Sequence, residues 1–183
     1  MSNHKNKLTF KALPKFAHGR NLRKVSPWIW KQIRTGLLVK GCQCEICGAT
    51  PISEYDQRNF HAHEDWEFDI KNHILILKHI GIICSKCHQT EHMGLLQLKL
   101  QNGQITEEEF DAVFKHYAEV NHCPIEVAYS DYRKSVLDYR SNPDNYSQKL
   151  VEANWTYRLD CEFPAKNKMR DTLLKKGLLA DAQ

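Results

Sequence analysis

The stretch "CSKCHQTEH", residues 84–92, decides the fold of this chain. It opens with a C-x-x-C pair, and a matching pair lies upstream in "CEICG", residues 44–48. Two residues between cysteines let one tight turn point both sulfurs inward, and four such sulfurs are the ligands of a structural zinc ion. The sequence therefore predicts a structural Zn²⁺ site with the ligands Cys44, Cys47, Cys84 and Cys87. Cys42 is a rival for Cys44, in the less usual C-x-C spacing.

The segment between the two pairs is too long for a simple zinc ribbon, which has about 15–20 residues there. It contains "HAHEDWEFD", residues 61–69, where partial alternation predicts a strand from Phe60 to about His63 that runs into a loop. It ends in "HILILKHIGIIC", residues 73–84, which is rich in isoleucine and is the clearest strand in the chain. Residues 84–102 are expected to form a turn that enters a helix.

Histidines are concentrated around the same cysteines. His61 and His63 are two residues apart on the first predicted strand, so their side chains face the same side. His88 and His92 are four residues apart, and on a helix two such imidazoles share one face and can chelate one metal ion. The two groups are expected to face each other.

The order of these motifs resembles the HNH, or ββα-metal (His-Me finger), endonucleases, in the subgroup with two C-x-x-C pairs. The motifs "CEICG", "HEDWEFD", "HILILKHIGIIC" and "CHQTEHMG" carry the resemblance, which is strong over residues 41–94 and looser downstream. It implies an α+β fold in which a ββα-metal (HNH) zinc-knuckle core is flanked by α-helices.

The resemblance also implies a function, the metal-dependent hydrolysis of phosphodiester bonds, in DNA. His63 would be the general base, and His88 with His92 would bind a second divalent ion, which could be Mg²⁺, Mn²⁺, Ni²⁺ or Zn²⁺. These roles suit the residues, because imidazole titrates near neutral pH and a Lewis-acid metal stabilises charge on phosphate.

One position departs from the family pattern. The residue before the base is usually Asp or His and binds the metal, whereas here it is Ala62. Either His61 or Glu64 supplies the missing ligand, or fewer protein groups hold the ion; alternatively His63 is a ligand and Glu64 is the base. The departure also supports a second hypothesis, a non-catalytic zinc module that binds nucleic acid, a nucleotide or a protein partner. A third is a hydrolase of small phosphodiesters.

Helices are expected on both sides of this unit. Residues 26–41 have an N-cap serine, a proline at the first helical position and a terminal glycine. Thr106 and Glu109 form a capping box that begins another helix. Residues 124–140 have an apolar stripe of helical period, and "WTYRLD", residues 155–160, predicts a short closing strand.

Charge is unevenly distributed along the chain. Residues 1–40 hold ten Lys or Arg and no acidic residue, while the remainder is acidic overall. A basic segment on an acidic body is typical of proteins that bind a polyanion, most simply nucleic acid. The predicted phosphate contacts are Lys5, Lys7, Lys11, Lys15, Arg20, Arg23 and Lys24.

Three regions are expected. These are a basic, flexible N-terminal arm at 1–24, a single HNH-like zinc domain with a helical extension at 25–165, and a basic C-terminal tail at 166–183. No apolar run reaches the roughly 18–20 residues that span a bilayer, and the N-terminus has no apolar segment of a secretory signal. We therefore expect a cytoplasmic protein with nucleic acid, and no membrane, as its partner; the resemblance adds a bacterial or phage source.

Overall fold

The computed structural model describes residues 8–39 and 41–180, and this part of the chain has an α+β fold. Its helices are α1 (Leu22–Val25), α2 (Pro27–Leu37), α3 (Ser85–Glu91), α4 (Met93–Gln101), α5 (Glu107–Asn121), α6 (Ile125–Ser141), α7 (Gln148–Glu152) and α8 (Lys166–Lys175). Its strands are β1 (Phe60–Asp69), β2 (Ile74–Cys84) and β3 (Thr156–Leu159). None of these helices is long and apolar enough to cross a membrane.

The three strands form one small mixed sheet in the order β1-β2-β3. β1 pairs antiparallel with β2, with His63 opposite Gly81, and β3 pairs parallel with β2, with Thr156 opposite Ile74. β2 is the central strand and is buried along most of its length, which explains its nearly continuous run of isoleucine and leucine. The closing strand predicted at "WTYRLD" is confirmed by β3.

The first strand is longer than predicted. The prediction ended it near His63, but β1 continues to Asp69 through a register shift between Asp65 and Trp66. β1 is an edge strand whose backbone stays paired to β2, and the polar side chains of Asp65 and Glu67 are exposed to solvent. The acidic composition of this stretch therefore did not prevent strand formation.

The helix predicted after the second cysteine pair is interrupted at His92. His92 has φ −123° and ψ 44°, which ends α3 and begins α4. The N-terminal segment makes two backbone hydrogen bonds here: the N–H of Lys11 donates to the carbonyl of Thr90 at 3.3 Å, and the N–H of Met93 donates to the carbonyl of Lys11 at 3.2 Å. The break is therefore held by a part of the chain that is distant in sequence.

The prediction of a flexible N-terminal arm is wrong for residues 8–24, which pack against the rest of the fold. Phe10 stacks on Tyr117 with ring centroids 4.3 Å apart, and Phe16 stacks on Trp155 at 4.7 Å. Leu8, like these aromatic rings, is fully or nearly fully buried. Burial of large apolar side chains is worth roughly 1.5–3 kcal/mol each, which outweighs the local charge. Residues 1–7 lie outside the described part.

Two apolar cores lie on either side of the site described below. The first packs the sheet against α1, α2, α7 and α8, and the second packs the end of β2 against α3 to α6. Helix α8 contributes Met169 and Leu173 to the first core, so the predicted C-terminal tail is a packed helix up to Lys175. The capping box of Thr106 and Glu109 is confirmed at the start of α5.

Candidate metal centres and the adjoining cleft

The four predicted cysteines come together. Cys44 and Cys47 lie in the loop after α2, Cys84 ends β2, and Cys87 lies in the first turn of α3. Their sulfur atoms all lie within 4.8 Å of one another, and Cys42 is not in this group. Four thiolates are a donor set that suits tetrahedral Zn²⁺, so these residues could hold a zinc ion.

The first cysteine loop is docked on the edge of β2 by Glu45. Its N–H donates to the carbonyl of Ile82 at 2.9 Å, and its carboxylate accepts the N–H of Ile82 at 3.2 Å. A Cβ at Gly81 would overlap this carboxylate, so a larger residue there would displace the Glu45 side chain from this position. The loop itself turns at Gly48, whose φ of +75° is a left-handed conformation that glycine adopts without strain.

The cysteine group favours a bound cation electrostatically. Hydrogen bonds from the thiols of Cys84 and Cys87 hold the pKa of Cys44 well below its usual range. The same bonds raise the pKa of Cys84 to about 12 and also raise the pKa of Cys87, because each thiol would lose its hydrogen bond to the Cys44 thiolate, and be repelled by it, on ionising. A divalent cation would relieve this repulsion and let the remaining thiols ionise.

A histidine that the sequence reasoning missed also contacts the cysteine group. His116 lies on α5, and its Nε2 is 3.2 Å from the sulfur of Cys87 and 4.0 Å from that of Cys84. An imidazole N–H at this place can donate to a metal-bound thiolate and reduce its charge. The sequence offered one indication of this contact: His116 lies three residues after Val113, next to the buried stripe of α5.

The second candidate centre consists of three histidines. His63 on β1, His88 on α3 and His92 at the helix break each offer a ring nitrogen, and these nitrogens all lie within 4.8 Å of one another. Burial lowers the pKa of His63 to about 3 and of His88 to about 2, and it also lowers the pKa of His92. Neutral imidazoles keep the lone pair that a metal ion requires, so this group could hold an ion.

His61, the candidate metal ligand, is not in this group. Its Nε2 lies 2.9 Å from the hydroxyl of Ser85, and its ring stacks on His88 with centroids 4.6 Å apart. His63, and not His61, is therefore the third histidine that could bind the ion together with His88 and His92. The stacking and the serine contact fix the orientation of the rings.

Glu64, the alternative base or ligand, is not part of the group of three histidines. Its Oε1 accepts the N–H of Leu22 at 2.9 Å, and its Oε2 accepts the indole N–H of Trp66 at 3.1 Å. Burial raises the pKa of Glu64 to about 7. Both oxygens accept hydrogen bonds, and the one to Leu22 links β1 to α1, so the geometry gives Glu64 a structural role.

Glu91 is a second residue that the sequence reasoning missed. Its side chain is 5% exposed, and its Oε2 lies 3.9 Å from Nε2 of His63 and 2.8 Å from Nζ of Lys11. The signal was present in "HQTEH", residues 88–92, because H-x-x-E-H places a carboxylate beside two histidine ligands in one group of zinc hydrolases. Burial raises the pKa of Glu91 against the opposing effect of Lys11.

A cleft of about 550 Å³ adjoins the histidines. Of the predicted phosphate contacts, Arg23 lines it with an exposed side chain, whereas Lys15 and Lys24 are exposed elsewhere. Arg20 also lines it, but its guanidinium donates to backbone carbonyls, including that of Val151 at 2.7 Å. Lys11 is ion-paired with acidic side chains, and Lys5 and Lys7 lie outside the described residues.

Comparison with protein-family models, with curated proteins and with solved structures gave no match. The resemblance to HNH nucleases therefore rests on the motifs of the sequence alone.

Proposed function

We propose that this protein is a metal-dependent endonuclease of the HNH type that hydrolyses phosphodiester bonds, in DNA. The observation that carries the proposal is the group of His63, His88 and His92 on the wall of a cleft that basic side chains also line. A divalent ion at such a site stabilises negative charge that develops on a phosphate. The cysteine group would hold a separate, structural Zn²⁺.

The backbone arrangement supports this proposal. The antiparallel strands β1 and β2 lead directly into α3, which is the element order of a ββα-metal core. The cysteine group joins the loop after α2 to the junction of β2 and α3, one residue before His88. Zinc bound there would fix the position of His88 relative to β1.

The proposal gives His63 the role of a metal ligand, because its ring lies in the same group as His88 and His92. This accounts for Ala62. The family pattern places a metal ligand at that position, and in this chain the next residue, His63, supplies the ligand instead. The proton of the attacking water then requires another acceptor. Glu91 is suited to this role, because its carboxylate lies 3.9 Å from the His63 ring and is shielded from solvent.

The test combines metal counting with plasmid nicking in the presence of Mg²⁺, Mn²⁺ or Ni²⁺. His63→Ala and His88→Ala should lose the second ion and all nicking but keep the zinc of the cysteine group. Glu91→Gln should keep both metals and lose nicking. His18→Ala removes an exposed imidazole that forms a hydrogen bond with the carbonyl of Leu13, outside both metal centres, and is the matched control. Full nicking by both histidine variants would show that the assignment is wrong.

One observation favours the second candidate, a non-catalytic zinc module that binds nucleic acid, a nucleotide or a protein partner. Lys11 lies 2.8 Å from Glu91 and neutralises the carboxylate that the catalytic proposal needs. This module would contain one metal ion per chain and would show no gain in nicking when divalent ions are added. The same metal count and nicking assay therefore separate the two functions.

A further inference from the structure

The wall of the cleft opposite the histidines is formed by α1 and α2, and it is positively charged. Arg23 on α1 and Lys31 and Arg34 on α2 line it. Among its lining residues the one carboxylate is that of Glu64, whose two oxygens already accept hydrogen bonds. A cleft with this balance of charge attracts an anion.

Aromatic side chains alternate with these cations on α2. Trp28 and Lys31 are three residues apart, and Trp30 and Arg34 are four apart, so each pair lies on neighbouring turns of one helix face. Trp30 lines the cleft, whereas Trp28 lies outside it, 67% exposed and with Nζ of Lys168 5.6 Å from the centre of its ring. A positive groove with aromatic rings along it is the pattern of proteins that bind single-stranded nucleic acid, where bases stack on the rings.

The basic wall and the histidines are close enough to act on one strand. Arg34 donates to the carbonyl of Phe60 at 3.5 Å, and Phe60 directly precedes His61 on β1. A volume of about 550 Å³ is that of a small-molecule site, so the cleft admits a few nucleotides of one strand. The bases of an unpaired strand are free to stack on an aromatic ring, whereas those of a duplex are stacked on one another.

We propose that the cleft binds a single, unpaired nucleic-acid strand along α2, with phosphates on Arg23, Lys31 and Arg34 and a base stacked on Trp30. This inference rests on the proposed function in one respect: the nuclease proposal is the reason for directing the strand toward the histidines. Of the phosphate contacts predicted on the N-terminal segment the inference keeps Arg23, and it adds Lys31 and Arg34 on α2.

The test is fluorescence anisotropy of the full chain without added divalent ions, so that binding is measured apart from cleavage. The probes are a labelled oligonucleotide of about ten nucleotides and the duplex of the same sequence. The single strand should bind at least about tenfold more tightly than the duplex. Trp30→Ala should weaken strand binding roughly 5- to 150-fold, the effect of losing one stacked base.

The charge contribution is measured with the double variant Lys31→Ala and Arg34→Ala. It should weaken strand binding by at least about tenfold and reduce the slope of log K against log salt by about 0.7 for each lost contact. The control replaces Lys115 and Lys134, exposed lysines on α5 and α6, with alanine and should bind as the wild type does. If the double variant melts early, Lys31→Glu alone supplies the same measurement.

The outcomes separate this inference from the proposed function. Strand binding that depends on α2, without any cleavage, supports the inference and contradicts the nuclease. Duplex binding that equals or exceeds strand binding, or strand binding that survives the double variant, overturns the inference even if the protein nicks plasmid.

Discussion

Replacement of Glu64 by glutamine should remove a large pH dependence of stability. The pKa of Glu64 rises from an ordinary 4.5 to about 7 in the folded protein. Between these values the unfolded chain loses a proton that the folded chain keeps, so the wild type loses stability as the pH rises. The free energy of unfolding of the wild type falls by about 1.4 kcal/mol per pH unit in this range. The total loss is about 3 kcal/mol and is complete near pH 7.

The assay is urea unfolding of both proteins at several pH values from about 4.5 to 8. All other titrating groups are shared, so their effects cancel in the difference between variant and wild type. Glutamine cannot accept both hydrogen bonds that Glu64 accepts, which adds a constant cost at every pH. The free energy of unfolding of the variant, relative to that of the wild type, should therefore rise by about 3 kcal/mol between pH 4.5 and 7.5. A difference that stays constant with pH would refute the reasoning.

Three further changes test the packing and the cysteine group. Cys87→Ser should remove zinc and on the order of 10 kcal/mol of folding free energy, seen as loss of the circular-dichroism melt together with the metal. His116→Ala should leave the fold intact but weaken zinc affinity about 10- to 100-fold in chelator competition, and an unchanged affinity would contradict the hydrogen bond to Cys87. Gly36→Ala should destabilise the chain by about 1–3 kcal/mol in a thermal melt despite alanine's better helix propensity, because the added Cβ would overlap the ring of Pro164; a higher melting temperature would argue against this contact.

The parts of the fold that depend on local sequence were predictable. The cysteine pairs are set by tight turns, the capping box of α5 by residues three apart, and β2 by its own apolar run. The single clear miss among the strands was the second half of β1. Its acidic residues indicate a loop when read alone, and pairing with β2 overrides that preference.

The parts that depend on distant contacts were not predictable from local patterns. Phe10 and Phe16 are isolated aromatic residues in a basic segment, and their partners, Tyr117 and Trp155, lie more than a hundred residues away. His116 belongs to the site only because α5 packs on α3. Glu91 is different, since its spacing from His88 and His92 was readable and only its burial required the structure.

The break between α3 and α4 makes the N-terminal segment part of the histidine centre. The backbone of Lys11 holds the interruption at which His92 sits, and the side chain of Lys11 pairs with Glu91. Trimming the chain to Pro14 would therefore disturb the centre itself, and so would exchanging this segment for that of another protein. This segment is synthesised before α3, so the histidine centre can be completed only after the chain has been made as far as His92.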